Sequence, residues 1–79
     1  MAESDALAVG SKVRVRIANP IEYVMGVAEH LNGATGTVER RKHDYDYFLV
    51  RFTRPVKKWW GTGYVLSFWF ESKDLQRLD

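Results

Sequence analysis

The sequence predicts an all-β fold: one small five-stranded barrel with a long first loop, able to hold a short helix, and a 3₁₀ turn before the last strand. Three observations predict it. The first is strict alternation of apolar and basic residues in Lys12-Val13-Arg14-Val15-Arg16-Ile17, the period of a half-buried strand. The second is the pair Gly33 and Gly36 in Leu31-Asn32-Gly33-Ala34-Thr35-Gly36-Thr37-Val38, which suits a tight entry into a strongly bent strand. The third is the spacing of turn formers, which cuts the chain into runs of strand length.

With 79 residues the chain has room for one domain. A chain this small buries only about 60–65% of its unfolded surface, so the core must be compact. The absence of cysteine excludes disulfides, thiolate metal sites and cysteine nucleophiles together. No apolar run approaches the ~20 residues that span a bilayer. The start, Met-Ala-Glu-Ser-Asp-Ala, is acidic and lacks an apolar core, unlike a secretory signal. These features lead us to expect a soluble, cytoplasmic protein without membrane insertion. Residues 1–9 read as a flexible tail, and residues 10–79 as the barrel domain.

The first strand has Val13, Val15 and Ile17 on the core side and Lys12, Arg14 and Arg16 on the other. Asn19-Pro20 ends it, since proline cannot donate to a ladder. Residues 20–31 read in two ways. Asn19 as N-cap, Pro20 at the first position and Glu22 three residues after the cap would start a short helix, with Ile21, Val24, Met25, Ala28 and Leu31 on one face. Gly26 and the β-branched residues favour a long irregular loop instead. His30 reads as a surface histidine, with no second ligand at metal spacing.

Ala34–Arg41 is the expected second strand, Lys42–Asp46 a charged turn, and Tyr47–Phe52 the third strand. Arg54-Pro55 breaks the pattern, and Val56–Gly63 is expected as a loop holding Lys57, Lys58, Trp59 and Trp60. The fourth strand, Tyr64–Phe70, is apolar on both faces except at Ser67, so it is expected to be central or covered on both sides. Glu71–Leu75 reads as a 3₁₀ turn capped by Ser72 or Asp74, and Gln76–Leu78 as a short closing strand. This arrangement makes an SH3-like barrel the expected fold, and closure would remove exposed strand edges.

The chain resembles a group of small SH3-like barrels. It is similar to the variable chain of ferredoxin–thioredoxin reductase through Val9-Gly10-Ser11-Lys12-Val13-Arg14-Val15, Leu31–Val38, Leu49-Val50-Arg51-Phe52 and Asp74-Leu75. It resembles the small SH3-like accessory polypeptide of photosystem I through Gly10–Arg14, Asn19-Pro20, Gly36-Thr37-Val38 and Val50-Arg51-Phe52. The Gly-x-x-Gly-x-Val core is also similar to KOW-type barrels, which touch RNA. Type II dihydrofolate reductase is a further short barrel of this kind, but its Val-Gln-Ile-Tyr stretch is absent here. The resemblance implies an accessory subunit that docks partners without chemistry of its own. Trp59-Trp60 and Phe68-Trp69-Phe70 lie outside either electron-transport pattern.

The formal charge is only +2, but residues 40–58 hold Arg40, Arg41, Lys42, Arg51, Arg54, Lys57 and Lys58 against Asp44 and Asp46. Such a segment attracts acidic partners. His30 and His43 have no paired nucleophile, no phosphate-cradling loop or metal-spaced ligand set is present, and Asp44 and Asp46 read as turn formers. We therefore expect no enzyme activity, cofactor or metal. Aromatics beside cations make a surface that can stack and desolvate. The expected partner-binding residues are Arg40, Arg41, Lys42, Tyr45, Arg54, Lys57, Lys58 and Trp59, with Tyr47 nearby and an acidic protein as partner. Adjacent residues on an extended segment point opposite ways, which leads us to expect Trp59 exposed and Trp60 buried. The alternative is nucleic acid, with cations on phosphates and aromatics on bases.

Overall fold

A computed structural model describes residues 7–24, 26–42 and 46–79. Five antiparallel strands form one sheet: β1 (Lys12–Val15), β2 (Thr35–Arg41), β3 (Tyr47–Lys57), β4 (Tyr64–Glu71) and β5 (Leu75–Arg77). Their order across the sheet is β4-β3-β2-β1-β5. The edge strands β4 and β5 are joined by only the 3₁₀ turn Ser72–Asp74. Four inter-strand gaps of about 4.8 Å would separate those edges by ~19 Å in a flat sheet. Three residues of 3₁₀ turn advance about 6 Å. The sheet therefore curls so that the end of β4 meets the start of β5. No helix among the described residues is long and apolar enough to cross a membrane.

The glycine pair sits at the entry to β2. Gly33 has φ +90 and donates its N–H to the Val15 carbonyl. Gly36 is buried opposite Phe52, and a Cβ there would lie 2.3 Å from the Arg51 carbonyl oxygen. β3 thus crosses β2 too closely for any side chain at Gly36.

Two irregularities shape the sheet. Glu39 is an extra residue between Val38↔Val50 and Arg40↔Leu49. This bulge turns Arg40 from the core side, where Val38 points, to the outer face. The second lies between Arg51↔Ser67 and Val56↔Val65. It explains why β3 runs on to Lys57, although Arg54-Pro55 leads the sequence reading to end the strand at Phe52. Pro55 falls where the ladder is interrupted, so its missing N–H forfeits no bond.

The excursion between β1 and β2 contains both expected alternatives in part: a 3₁₀ turn Pro20–Glu22 and a one-and-a-half-turn helix, α1 (Val27–Leu31). Asn19 makes no side-chain cap bond. The expected common apolar face is not formed: Ala28 and Leu31 are buried, while Ile21 and Val24 stand in solvent. Gly26, with φ +93, breaks the segment between them and serves as N-cap of α1. Met25 lies outside the described residues.

The core is Val13, Val15, Ile17, Val27, Leu31, Val38, Phe48, Val50, Phe52 and Phe70, with smaller contributions around it. Each fully buried Val, Leu or Phe contributes about 1.5–3 kcal/mol relative to exposure. Leu7 also packs here, so the packed chain reaches three residues further back than residue 10. β4 is neither central nor covered on both sides, contrary to expectation. It is an edge strand, with Tyr64, Leu66 and Trp69 exposed on it. The 3₁₀ turn Ser72–Asp74 lacks a side-chain cap, because Ser72 Oγ donates to Asp46 and the Asp74 carboxylate is engaged elsewhere.

A candidate aromatic and cationic docking corner

The corner where β3 turns into β4 carries Lys57, Lys58, Trp59 and Trp60. The Lys58 N–H donates to the Gly63 carbonyl over 3.0 Å and closes the turn. Trp59 points inward and packs against the core cluster, while Trp60 is 58% exposed. The expected assignment of the two tryptophans is thus reversed. The physical reason is the neighbour: α1 places His30 face to face with Trp59, ring centroids 4.6 Å apart and planes 9° from parallel.

Gly26 makes that stack possible. A Cβ on it would lie 2.3 Å from Trp59 Nε1, so only glycine lets the indole settle against the start of α1. His30 Nδ1 lies 2.9 Å from the Gly26 carbonyl oxygen, which can only accept, so the ring donates from Nδ1 and keeps Nε2 as its acceptor when neutral. Trp60 stands edge-on to Trp59 at 4.7 Å and 83°. Lys58 Nζ sits 5.6 Å from the centroid of the Trp60 ring, a cation–π contact worth about 0.5–1 kcal/mol at such an exposed place. Val24, Val27, Trp59, Trp60 and Phe68 line a groove of ≈ 290 Å³ beside this array.

The other expected site residues divide between two ends of the molecule. Arg54, Lys57, Lys58 and Trp59 lie toward the far end of β3; Arg54 lines a separate shallow groove with Gly33, Thr53 and Pro55. Arg40, Arg41 and Lys42 lie at the near end, where the Lys42 N–H donates to the Tyr47 carbonyl. Along β3, Arg54 lies five residues beyond Leu49, the partner of Arg40, and Lys57 lies ten beyond Tyr47, the partner of Lys42, so roughly 17–33 Å of strand separates the two groups. The structure does not bring them onto one surface. Arg40 and Arg41 also point to opposite faces: Arg40 pairs with outward Leu49, and the Arg41 guanidinium lies 5.5 Å from the centre of the Phe48 ring. Tyr45 lies outside the described residues, as do His43 and Asp44.

Sequence reading misses Val24, His30 and Trp60 as parts of one array, because their neighbourhood depends on where Gly26 breaks the excursion. It also misses the outward row Lys12, Thr37, Arg51, Ser67, set by the ladder register alone. On that face Arg51 pairs with Glu39 at 3.3 Å and Lys12 Nζ lies 3.4 Å from Thr37 Oγ1.

Among the described residues, Glu22, Glu71 and Asp74 bring one carboxylate oxygen each within 4.8 Å of one another. Internal partners account for two of them. Glu22 is ion-paired with Lys73, and Asp74, only 1% exposed, accepts from the Tyr23 hydroxyl at 2.7 Å. This grouping ties the excursion to the last turn. No protein-family model, curated protein or solved structure matches the chain.

Proposed function

We propose that the chain is a non-catalytic docking module, an SH3-like barrel of the cytoplasm acting as an accessory subunit for an acidic protein partner. The observation that carries this reading is Trp60: a largely exposed indole fixed between Trp59 and Lys58, beside an apolar groove. Rigid aromatic anchors with adjacent cations are what binding hot spots use. Lys57 and Lys58 would meet partner carboxylates while Trp60 and Val24 receive an apolar side chain. Arg54 extends the same positive end, while Arg40, Arg41 and Lys42 put further cations at the other end of β3, on both faces of the sheet, within reach of a large partner.

A second reading, nucleic acid, draws support from the outward face of the sheet, where Lys12, Arg14, Arg40 and Arg51 all point away from the core. One NMR titration tests both, using labelled protein with a short peptide of alternating Glu and Leu, then with a single-stranded RNA pool, each at low and moderate salt. Docking at the corner predicts peptide-induced shifts at the Trp60 indole and Lys58, abolished in Trp60→Ala. Salt-sensitive RNA shifts across Arg14, Arg40 and Arg51, with a silent peptide titration, would replace the docking reading by the nucleic-acid one.

A further inference from the structure

β4 is the one long edge of this sheet. Natural edges are blunted by lysine, proline, bulges or extreme shortness. The opposite edge fits that rule, since β5 is three residues long and contains Arg77. β4 has eight residues, Tyr-Val-Leu-Ser-Phe-Trp-Phe-Glu, with no proline or cation.

The hydrogen-bond phase identifies which backbone groups face outward. Tyr47 gives its carbonyl to the Lys42 N–H, on the side away from β4, so the pair Tyr47↔Glu71 is of the non-bonded kind. The Glu71 N–H accordingly points off the sheet, where the Tyr23 hydroxyl oxygen accepts it at 3.0 Å. The same phase holds two and four residues back, at Leu49↔Trp69 and Arg51↔Ser67. Trp69 and Ser67 therefore each turn an N–H and a C=O to the open edge. Among the described residues no partner for those groups is found.

The surrounding side chains decide what fits there. Neither strand of the β3–β4 pair contains an acidic residue between Tyr47 and Phe70. Arg54, Lys57 and Lys58 stand toward the Tyr64 end, where Lys57 pairs with Tyr64. Both signs meet at the other end, Arg41, Lys42 and Lys73 with Glu71, Asp46 and Glu22. Phe68, between the two outward residues, turns to the core side and lines the apolar groove with Val24, Val27, Trp59 and Trp60.

Building on the docking role proposed above, we infer that the acidic partner engages as an extended strand, added antiparallel to β4 at Ser67 and Trp69 only. Two bonded pairs then exchange four hydrogen bonds. The partner residue opposite Phe68 shares its face of the sheet and is the apolar one that meets the groove. Tyr23 already holds the outward N–H of Glu71, so the partner chain enters the edge at Trp69 and not before. Running antiparallel, it continues past Leu66 toward Tyr64, which places its carboxylates after the paired segment, beside Lys57 and Lys58. The partner motif is thus a polar-apolar-polar strand followed by acidic residues.

A titration of the labelled protein with the peptide acetyl-Thr-Leu-Thr-Glu-Asp-Glu-amide tests this, followed by NMR and amide hydrogen exchange. The expected result is protection of the Ser67 and Trp69 amides together with a shift of the Trp60 indole. The same peptide N-methylated at both threonines keeps its side chains and charge but loses the two pairing N–H groups, and should bind at least about tenfold more weakly. A version ending in three lysines should weaken by as much. Ser67→Pro removes an outward N–H that β3 does not use and should match the N-methylated peptide, with circular dichroism confirming the fold; the peptide comparison decides if that variant unfolds. Equal affinity for the plain and N-methylated peptides, with a shifted Trp60 indole and freely exchanging Ser67 and Trp69 amides, would overturn the strand addition and leave the docking role standing. A peptide that moves neither the edge amides nor the indole would overturn both.

Discussion

The Tyr23 hydroxyl donates to Asp74 Oδ2 over 2.7 Å and accepts the Glu71 N–H over 3.0 Å. One phenol thus joins the middle of the long excursion to both sides of the turn between β4 and β5. It satisfies the buried Asp74 carboxylate, which stands beside those of Glu22 and Glu71, and its ring leans on Phe70 at 5.9 Å. Burial, ahead of the Asp74 carboxylate, holds the phenol above its ordinary value of 10.0, with the Glu71 N–H acting in the other direction.

Tyr23→Phe should therefore destabilise the fold by about 1–3 kcal/mol, the cost of leaving Asp74 and the Glu71 N–H without their partner. It should also alter the alkaline limb. The phenol's contribution is fully present below pH 10 and is lost as pH rises from there toward its raised folded value, because the unfolded chain ionises first. Denaturant titrations of both proteins at neutral pH and above about pH 10 check this: the difference between them should shrink with alkalinity.

Gly36→Ala and Gly61→Ala should behave oppositely. The first drives a Cβ to 2.3 Å from the Arg51 carbonyl, in backbone that cannot yield, and should cost about 3 kcal/mol or more. The second meets nothing within 4 Å and has no positive φ, so it should be neutral or stabilise by up to about 1 kcal/mol. Thermal melts of the pair measure both.

The two tryptophans should separate stability from surface. Trp59→Ala should cost about 2–3 kcal/mol, somewhat below the ~3–5 of a fully buried aromatic. Trp60→Ala should change stability by no more than about 1 kcal/mol. Guanidinium unfolding followed by far-ultraviolet circular dichroism distinguishes them, since fluorescence would change in both.

Gly26→Ala should cost about 1–2 kcal/mol for its left-handed backbone and should also eject the Trp59 indole from His30. The expected signs are a shifted tryptophan emission and an upfield-to-random change at the His30 ring protons by NMR.

Much of the sheet is legible in the sequence because strand alternation has a local cause. Val13, Val15, Phe48, Val50 and Phe52 face inward where period two puts them, and the crowding at Gly36 is foreshadowed by its neighbours. The candidate corner is far less legible. Whether Trp59 or Trp60 points inward depends on His30 and Gly26, which are distant in sequence. The division of the cations depends on β3 continuing past Pro55, which requires knowing that the ladder is already broken there. The outward turn of Arg40 depends on one bulged residue, Glu39, and a slip of one residue exchanges faces.

The order β4-β3-β2-β1-β5 also governs the route by which this chain acquires its shape. β2, β3 and β4 are consecutive hairpins, whereas Val15 must find Leu75, sixty residues away. Closing a loop of that length costs about 2 kcal/mol more in chain entropy than closing a hairpin of a few residues. The meander should accordingly assemble first, and β5 should act as a latch that shuts after the rate-limiting barrier. Leu75→Ala should then leave the refolding rate nearly unchanged and accelerate unfolding, while Val50→Ala slows refolding. The three residues of β5 would in that case set how long the molecule stays folded rather than how quickly it folds.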